Sequence, residues 1–375
     1  MAWFSLLSTT VTAATLPSPT RNHPRNTDLP SRVERWFRRH HRELPFRPTD
    51  DRPANPYHVL VSELMAQQTQ IATVVPYFER FIAAFPTVEA LAAADEQAVL
   101  KLWQGLGYYR RARSLHAAAK AIVNDHAGQV PATAEELAQL PGVGRYTAGA
   151  VASVAYDRAA AVVDGNVARV LSRLDRIEEP VDRPAGQRRL WARAEALVEA
   201  AASPRDFNQG LMELGALVCT PRSPKCLVCP VRQSCKARAA GVAERLPVKT
   251  PKKKPIAVTH TVLAVCRGDE LLFERRPGNG LWANLWQLPT AESDDATPVP
   301  PAAVADRRGL RLAGKPRRVG DFTHATTHRA IRFELFAADV KPGTQPPSGC
   351  CWRLADDLAD LPLAKPQTRA LAMLA

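Results

Sequence analysis

No stretch of this 375-residue chain reaches the ~20 consecutive apolar residues that a membrane helix needs. Cysteine is scarce: seven are too few to staple a chain of this length as a disulfide scaffold. The mildly apolar start, Met1 to Leu16, lacks the basic residues that open a secretory signal, so a disordered arm is expected over 1–30. The 32 Pro and 19 Gly follow no collagen-like period, and no internal repeat is visible. Acid is in short supply. Fifty Lys and Arg face 37 Asp and Glu, a net charge of +13. That excess suits an anionic partner, nucleic acid or an anionic surface, although a basic ordinary enzyme would look the same.

What is present divides in two. Hydrophobic residues make up 46% of the chain, enough for packed cores, and the length suggests two domains. Over 31–240 apolar residues recur at helical spacing, separated by Pro and Gly turns, and about ten short helices are expected. Residues 241–257 read as a linker, stiffened by Pro247, Pro251 and Pro255 and charged by four lysines. From 258 to 375 the pattern changes: VTHTVLAVCRGDELLFERRP reads as two strands around a Gly-Asp turn, and FTHATTHRAIRFELFAADV as further strand. The fold class is therefore a multidomain chain, an all-α region followed by a smaller α+β domain.

Four of the cysteines, Cys219, Cys226, Cys229 and Cys235, crowd into C-x6-C-x2-C-x5-C. Four thiolates in one loop can wrap a single metal centre, zinc or iron–sulfur, which implies a reducing compartment. Zinc ribbons usually show two C-x2-C knuckles, and here there is one. Arg222, Lys225 and Arg232 would charge the loop's outer face. Upstream lies L-P-G-V-G-R-Y-T-A at 140–148. Gly142 and Gly144 allow conformations and close approaches that a Cβ would block, and the free amides of the following helix make an anion site. A plain helix–helix turn would use the same glycines.

Two carboxylates stand out. Glu63 is the only Asp, Glu, Lys or Arg between Pro53 and Phe78. Among Val59, Leu60, Val61, Leu64 and Met65 it should be desolvated, which raises its pKa and suits a proton donor near neutral pH. A buried Glu satisfied by local hydrogen bonds would look alike. Asp164 ends an apolar run just before the helix NVARVLSRL. It reads as an N-cap, and the helix amides should keep it ionised.

The cysteine spacing behind a helical region with L-P-G-V-G resembles the helix-hairpin-helix DNA glycosylases of the endonuclease III superfamily that carry an iron–sulfur loop. The resemblance is dense over 31–240 and loose over 258–375. Tyr146 stands where strand-cleaving members carry a Schiff-base lysine, and V-D-G-N-V at 163–167 replaces their V-D-T-H-V. Both features are similar to the MutY-type adenine DNA glycosylases. The resemblance implies a [4Fe–4S] cluster on the four cysteines and double-stranded DNA as partner. It implies removal of adenine opposite 8-oxoguanine or guanine. It also implies a monomer without membrane attachment, acting in the cytoplasm on the nucleoid.

The resemblance further implies roles. In V-S-E-L-M-A-Q-Q-T, Glu63 would protonate N7 of adenine, and Gln67 and Gln68, on the same helix, would fill the vacated stack. Asp164 would stabilise the sugar cation, Asn166 would position Asp164 or the water, and Tyr146 would bond in the same pocket. Tyr108 or Tyr109, in G-L-G-Y-Y, would wedge beside the opposite base. Gly142 and Gly144 would grip a phosphate. Arg47 and Glu213 match positions near the flipped adenine. Phe46 stands where the family usually has Trp, and the loop between Arg47 and Pro56 is longer than usual.

The region 258–375 resembles the family's Nudix-like domain for 8-oxoguanine, best at G-L-W-A-N-L-W-Q-L-P, 280–289. The Glu-rich helix that holds magnesium in working Nudix hydrolases is missing after 290. Recognition without phosphohydrolysis is expected. At the lesion-reading turn, Thr326-Thr327-His328 keeps a hydroxyl, Thr327, and His328, but lacks the usual Phe. Three rivals are an endonuclease III-like lyase, a non-catalytic DNA-binding relative and a nucleotide pyrophosphatase. Tyr146, the Glu63–Asp164 pair and the missing Glu helix argue against each in turn.

Overall fold

A computed structural model describes residues 28–47, 54–251, 254–293 and 297–374. Residues 1–27 of the expected arm 1–30 and most of the loop after Arg47 lie outside them, while Leu29 and Pro30, expected in the arm, are the buried start of a helix.

Twelve α-helices fill the first part of the described chain: α1 (Leu29–His40), α2 (Pro56–Ala66), α3 (Ile71–Ala84), α4 (Val88–Ala93), α5 (Glu96–Leu102), α6 (Arg110–Asp125), α7 (Ala134–Leu137), α8 (Arg145–Tyr156), α9 (Gly165–Asp175), α10 (Pro184–Glu199), α11 (Pro204–Leu217) and α12 (Lys236–Ala239). Local chemistry starts many of them. Asn55 accepts from the amides of Tyr57 and His58 ahead of Pro56, Thr133 caps α7, Asp164 caps α9 and Ser203 caps α11. The helices exceed the expected ten because α7 and α12 are single four-residue turns, too short to show periodicity.

The helices build two cores rather than one. The first gathers α2 to α8 around Trp103, Phe81, Leu64 and Met65. The second joins α1 to α9, α10 and α11 around Phe207, Leu171 and Leu214, with Cys219 and Cys229 at its edge. The chain passes between the cores after α8, and the seam between them holds the candidate site.

The segment expected to be a linker is partly docked. Leu246 is buried, the Val181 amide donates to the Val248 carbonyl, and the Thr250 amide donates to Asp182. Leu246 is an apolar anchor inside a polar sequence, which composition alone does not reveal.

The second part is a seven-stranded sheet of β1 (Ile256–Arg267), β2 (Glu270–Arg275), β3 (Trp286–Gln287), β4 (Thr290–Ser293), β5 (Arg317–Ala325), β6 (Arg329–Asp339) and β7 (Cys350–Leu354). The path runs β3-β2-β1-β6-β5, with β4 beside β1 and β7 beside β2. The Gly268-Asp269 turn joins β1 and β2, and Thr326-Thr327-His328 joins β5 and β6. Along β1, Val262 and Ala264 enter one core with α14 (Lys365–Leu371), while Leu263 and Val265 enter the other with α13 (Pro301–Asp306).

Polar contacts tie the sheet domain to α5 and the turn after it. Lys101 donates to the carbonyls of Leu358 and Leu361, Gln104 accepts from the Leu363 amide, and the Tyr109 hydroxyl donates to the Leu363 carbonyl.

Candidate active site and iron–sulfur loop

A pocket of about 450 Å³ opens at the seam, in the size range of small-molecule sites. Glu63 reaches it from α2, Tyr146 from α8, Asp164 and Asn166 from the start of α9, and Met212 and Glu213 from α11. The Tyr146 hydroxyl donates to Glu63 Oε2 at 2.6 Å. Burial pushes the Glu63 pKa up to about 7; Asp164 adds to the rise, while the Tyr146 bond and Arg47 oppose it. Burial and the Glu63 charge hold the Tyr146 phenol protonated, so it stays a donor.

Asp164 accepts from the Val167 amide at 2.6 Å and from Asn166 Nδ2 at 3.0 Å. The cap is real, but it does not hold the carboxyl at its ordinary pKa. Burial pushes the value up, and the donors only resist. The amide and Asn166 still favour the carboxylate form, against the burial. Asn166 Oδ1 in turn accepts from Arg169, which also donates to the carbonyls of Gly215 and Cys219.

Arg47 and Glu213 both line the pocket and pair at 3.2 Å. Sequence reasoning missed Arg42, which grips both Glu213 oxygens through its side chain and donates a backbone amide as well. Burial would raise the Glu213 pKa, but Arg42 and Arg47 together hold it below the ordinary value. Phe46 lies on the same wall.

The proposed DNA-facing residues are partly rearranged. α2 ends at Ala66, so Gln67 and Gln68 are not on the helix with Glu63. Gln67 donates to Thr147 Oγ1, and Gln68 is exposed with φ +56°. Tyr108 is 48% exposed with φ +49°, whereas Tyr109 is a buried core residue. The structure thus chooses Tyr108 and removes Tyr109 from the candidate surface. Arg111, unmarked by any motif, sits beneath both turns. It donates to the carbonyls of Leu64, Met65, Gln67 and Gly107, and its guanidinium stacks under Tyr108.

At the hairpin, Gly142 has φ +74°, and a Cβ there would lie 2.3 Å from Ser114. Gly144 precedes α8 with no side-chain cap and open space around it, which leaves the helix amides free for an anion.

A second cleft of about 690 Å³ lies between the two parts, lined by Tyr108, Arg113, Trp282, His324 and Thr327 among others. Tyr108 Oη and Thr327 Oγ1 are 3.2 Å apart across it. His328 shares the turn and is exposed, but it is outside the residues that line the cleft. Trp282, inside the 280–289 motif, and His324, on β5, stack obliquely there, and neither was given a role from the sequence.

The four cysteines are free thiols around one small cavity. Burial pushes the Cys229 thiol up to about 12, with its three cysteine neighbours adding to the rise, so that thiol ionises only against a cationic centre. Among the described residues no three His, Cys, Asp or Glu side chains close around a single ion. Four cysteines around one cavity are the ligand set that an iron–sulfur core takes. Leu227 and Val228, between the middle cysteines, are exposed.

Comparison with known proteins agrees with this geometry. Residues 61–195 match the HhH-GPD superfamily base excision DNA repair protein, 219–235 the iron-sulfur binding domain of endonuclease III, and 260–373 the NUDIX domain. The adenine DNA glycosylase of Homo sapiens is 34% identical over 84% of this chain and 68% of its own length. That of Mus musculus is 34% identical over 87% and 74%. That of Buchnera aphidicola subsp. Schizaphis graminum is 32% identical over 74% and 78%. Among solved structures, a thermostable thymine-DNA glycosylase superposes with a TM-score of 0.50 at 29% identity, covering 58% of this chain and 97% of that one. The loop 219–235 is thus an iron–sulfur site, and the chain belongs to the adenine DNA glycosylases, base-excision repair enzymes of the helix-hairpin-helix superfamily.

Proposed function

We propose that this glycosylase removes adenine paired with 8-oxoguanine, and with guanine, leaving an abasic site in an unbroken strand. The observation that carries the reading is the pair of unlike carboxylates in one pocket: Glu63, at about 7 and bonded by Tyr146, and Asp164, held by a backbone amide and Asn166.

The target adenine must leave the stack to reach the pocket. Glu63 in its acid form protonates N7 of the base, which makes it a neutral leaving group. As the glycosidic bond breaks, positive charge develops on the sugar. Asp164 faces that charge as a carboxylate, and Asn166 fixes its orientation. Water completes the hydrolysis. Position 146 carries a phenol rather than an amine, so no Schiff base forms there and the strand stays intact.

Several features support a mispair-reading grip on DNA. Gln68 and Tyr108 hold strained backbone at exposed turns, where strain is often functional. The uncapped start of α8 and the basic surface around the cysteine loop suit phosphates without reading sequence. Thr327, Trp282 and Tyr108 make a cleft that suits a base opposite the adenine. The nuclearity [4Fe–4S], a monomeric state and a cytoplasmic, nucleoid-associated place belong to the same reading.

Single-turnover adenine release tests it, on duplexes pairing adenine with 8-oxoguanine, guanine or thymine, with and without alkaline work-up. Release from the first two, with strand breaks only after alkali, is expected. Breaks without alkali would replace this reading with a lyase. Equal release opposite thymine would remove the mispair specificity.

A further inference from the structure

Arg173 is among the largest fully buried side chains, 2% exposed in the second helical core. A guanidinium in such a place normally meets a carboxylate, because desolvating an unpaired cation is costly. Among the described residues Arg173 has no ion-pair partner. Its donors go instead to the cysteine loop. Nη1 donates to the Thr220 carbonyl at 2.7 Å and lies 3.3 Å from both Cys219 O and Cys219 Sγ. Nη2 donates to the Pro221 carbonyl at 2.9 Å, and Nε to the Leu246 carbonyl at 3.0 Å. The Arg173 backbone carbonyl also faces the Cys235 thiol at 3.4 Å. The other arginines that line the same cavity, Arg232 and Arg238, are solvent-exposed.

We propose that Arg173 is the counter-cation of the iron–sulfur cluster and raises its reduction potential. Four thiolates outweigh the charge of the iron–sulfur core, so the assembly is a net anion. That anion is the missing partner of the buried guanidinium. A fixed positive charge beside one ligand sulfur favours the more reduced state of the cluster, and an N–H···S bond to Cys219 withdraws electron density in the same direction. The couple involves one electron, exchanged with an electrode, and no proton. The four carbonyl bonds also let Arg173 close the start of the loop onto α9 and onto Leu246. Arg173 is thus a positioning residue for the cluster, acting through Cys219.

The test compares cluster-loaded wild type with Arg173→Met and Arg173→Lys. The cluster potential is read by voltammetry, and cluster loss by decay of its visible absorbance in a chelator. Met removes the charge and the fork, so a more negative potential and severalfold faster loss are expected. Lys keeps the charge without the fork, so a potential near wild type with faster loss is expected. An Arg173→Met protein that holds its cluster at the wild-type potential would overturn the proposal. Should Arg173→Met not fold, pulsed electron paramagnetic resonance on wild type labelled with 15N-guanidino arginine decides. A coupling from the cluster to arginine nitrogen that vanishes in Arg173→Lys supports the assignment. No coupling, or one that survives in Arg173→Lys, overturns it.

Discussion

Tyr146 and Glu63 meet at 2.6 Å across the pocket, the phenol donating to the carboxyl. The bond favours the charged carboxylate, while burial favours the acid, and burial wins. Tyr146 therefore does more than occupy the place of a lysine. It keeps the Glu63 pKa near neutrality, where a general acid is most useful.

Single-turnover release should fall with pH through about 7, because the acid form of Glu63 is required. Tyr146→Phe removes an interaction that lowers this pKa. The falling limb should move to higher pH, as measured by the rate profile on one duplex.

Glu63→Gln keeps the volume and removes the proton donor. A loss of roughly 10²–10⁴-fold in adenine release is expected, with DNA affinity near wild type. The same change bears on stability. The Glu63 pKa is higher folded than unfolded, so its contribution is full below about 4.5 and is lost as pH rises through about 7. Glu63→Gln should therefore gain stability over wild type between pH 5 and pH 8, on the order of 2 kcal/mol, in denaturant titrations.

Glu213→Gln would leave Arg42 and the buried Arg47 without their carboxylate. A destabilisation of roughly 3 kcal/mol is expected by urea unfolding. Arg42→Lys should cost less, since the charge remains while the two-pronged grip is lost.

The hairpin glycines should separate cleanly. Gly142→Ala meets both a left-handed backbone and the Ser114 side chain, so the folded protein should lose stability. Gly144→Ala meets nothing and has an ordinary φ, so thermal stability should hold. If the start of α8 grips a backbone phosphate as proposed, DNA affinity of Gly144→Ala should nevertheless fall, because the methyl group would stand in the open space before the helix amides.

Tyr108→Phe breaks the contact with Thr327 and keeps the ring. Release opposite guanine should stay near wild type, and discrimination for 8-oxoguanine should narrow. An unchanged ratio of the two rates would separate this contact from lesion reading.

Much of this protein was legible along the chain, because its chemistry is local there. The cysteine spacing, the L-P-G-V-G turn and the lone Glu63 in an apolar helix are patterns over a few residues. The Gly-Asp turn marked its hairpin for the same reason. Arginines outside any motif carried no such mark. Arg42, just after α1, and Arg111, Arg169 and Arg173, on helices, spend hydrogen bonds on groups from other segments. Nor could Tyr108 be told from Tyr109, since burial is set by what packs from elsewhere.

The sequence by itself determined the helical and sheet halves, the cysteine centre and the two carboxylates, since periodicity, spacing and isolation are properties of one dimension. Only the tertiary structure decided that Glu63 and Asp164 share a pocket, because they belong to different hydrophobic cores and meet where those cores adjoin. It also decided the direction in which their pKa values move: desolvation depends on everything packed around a carboxyl, and at Asp164 it outweighs the capping amide that the sequence could foresee.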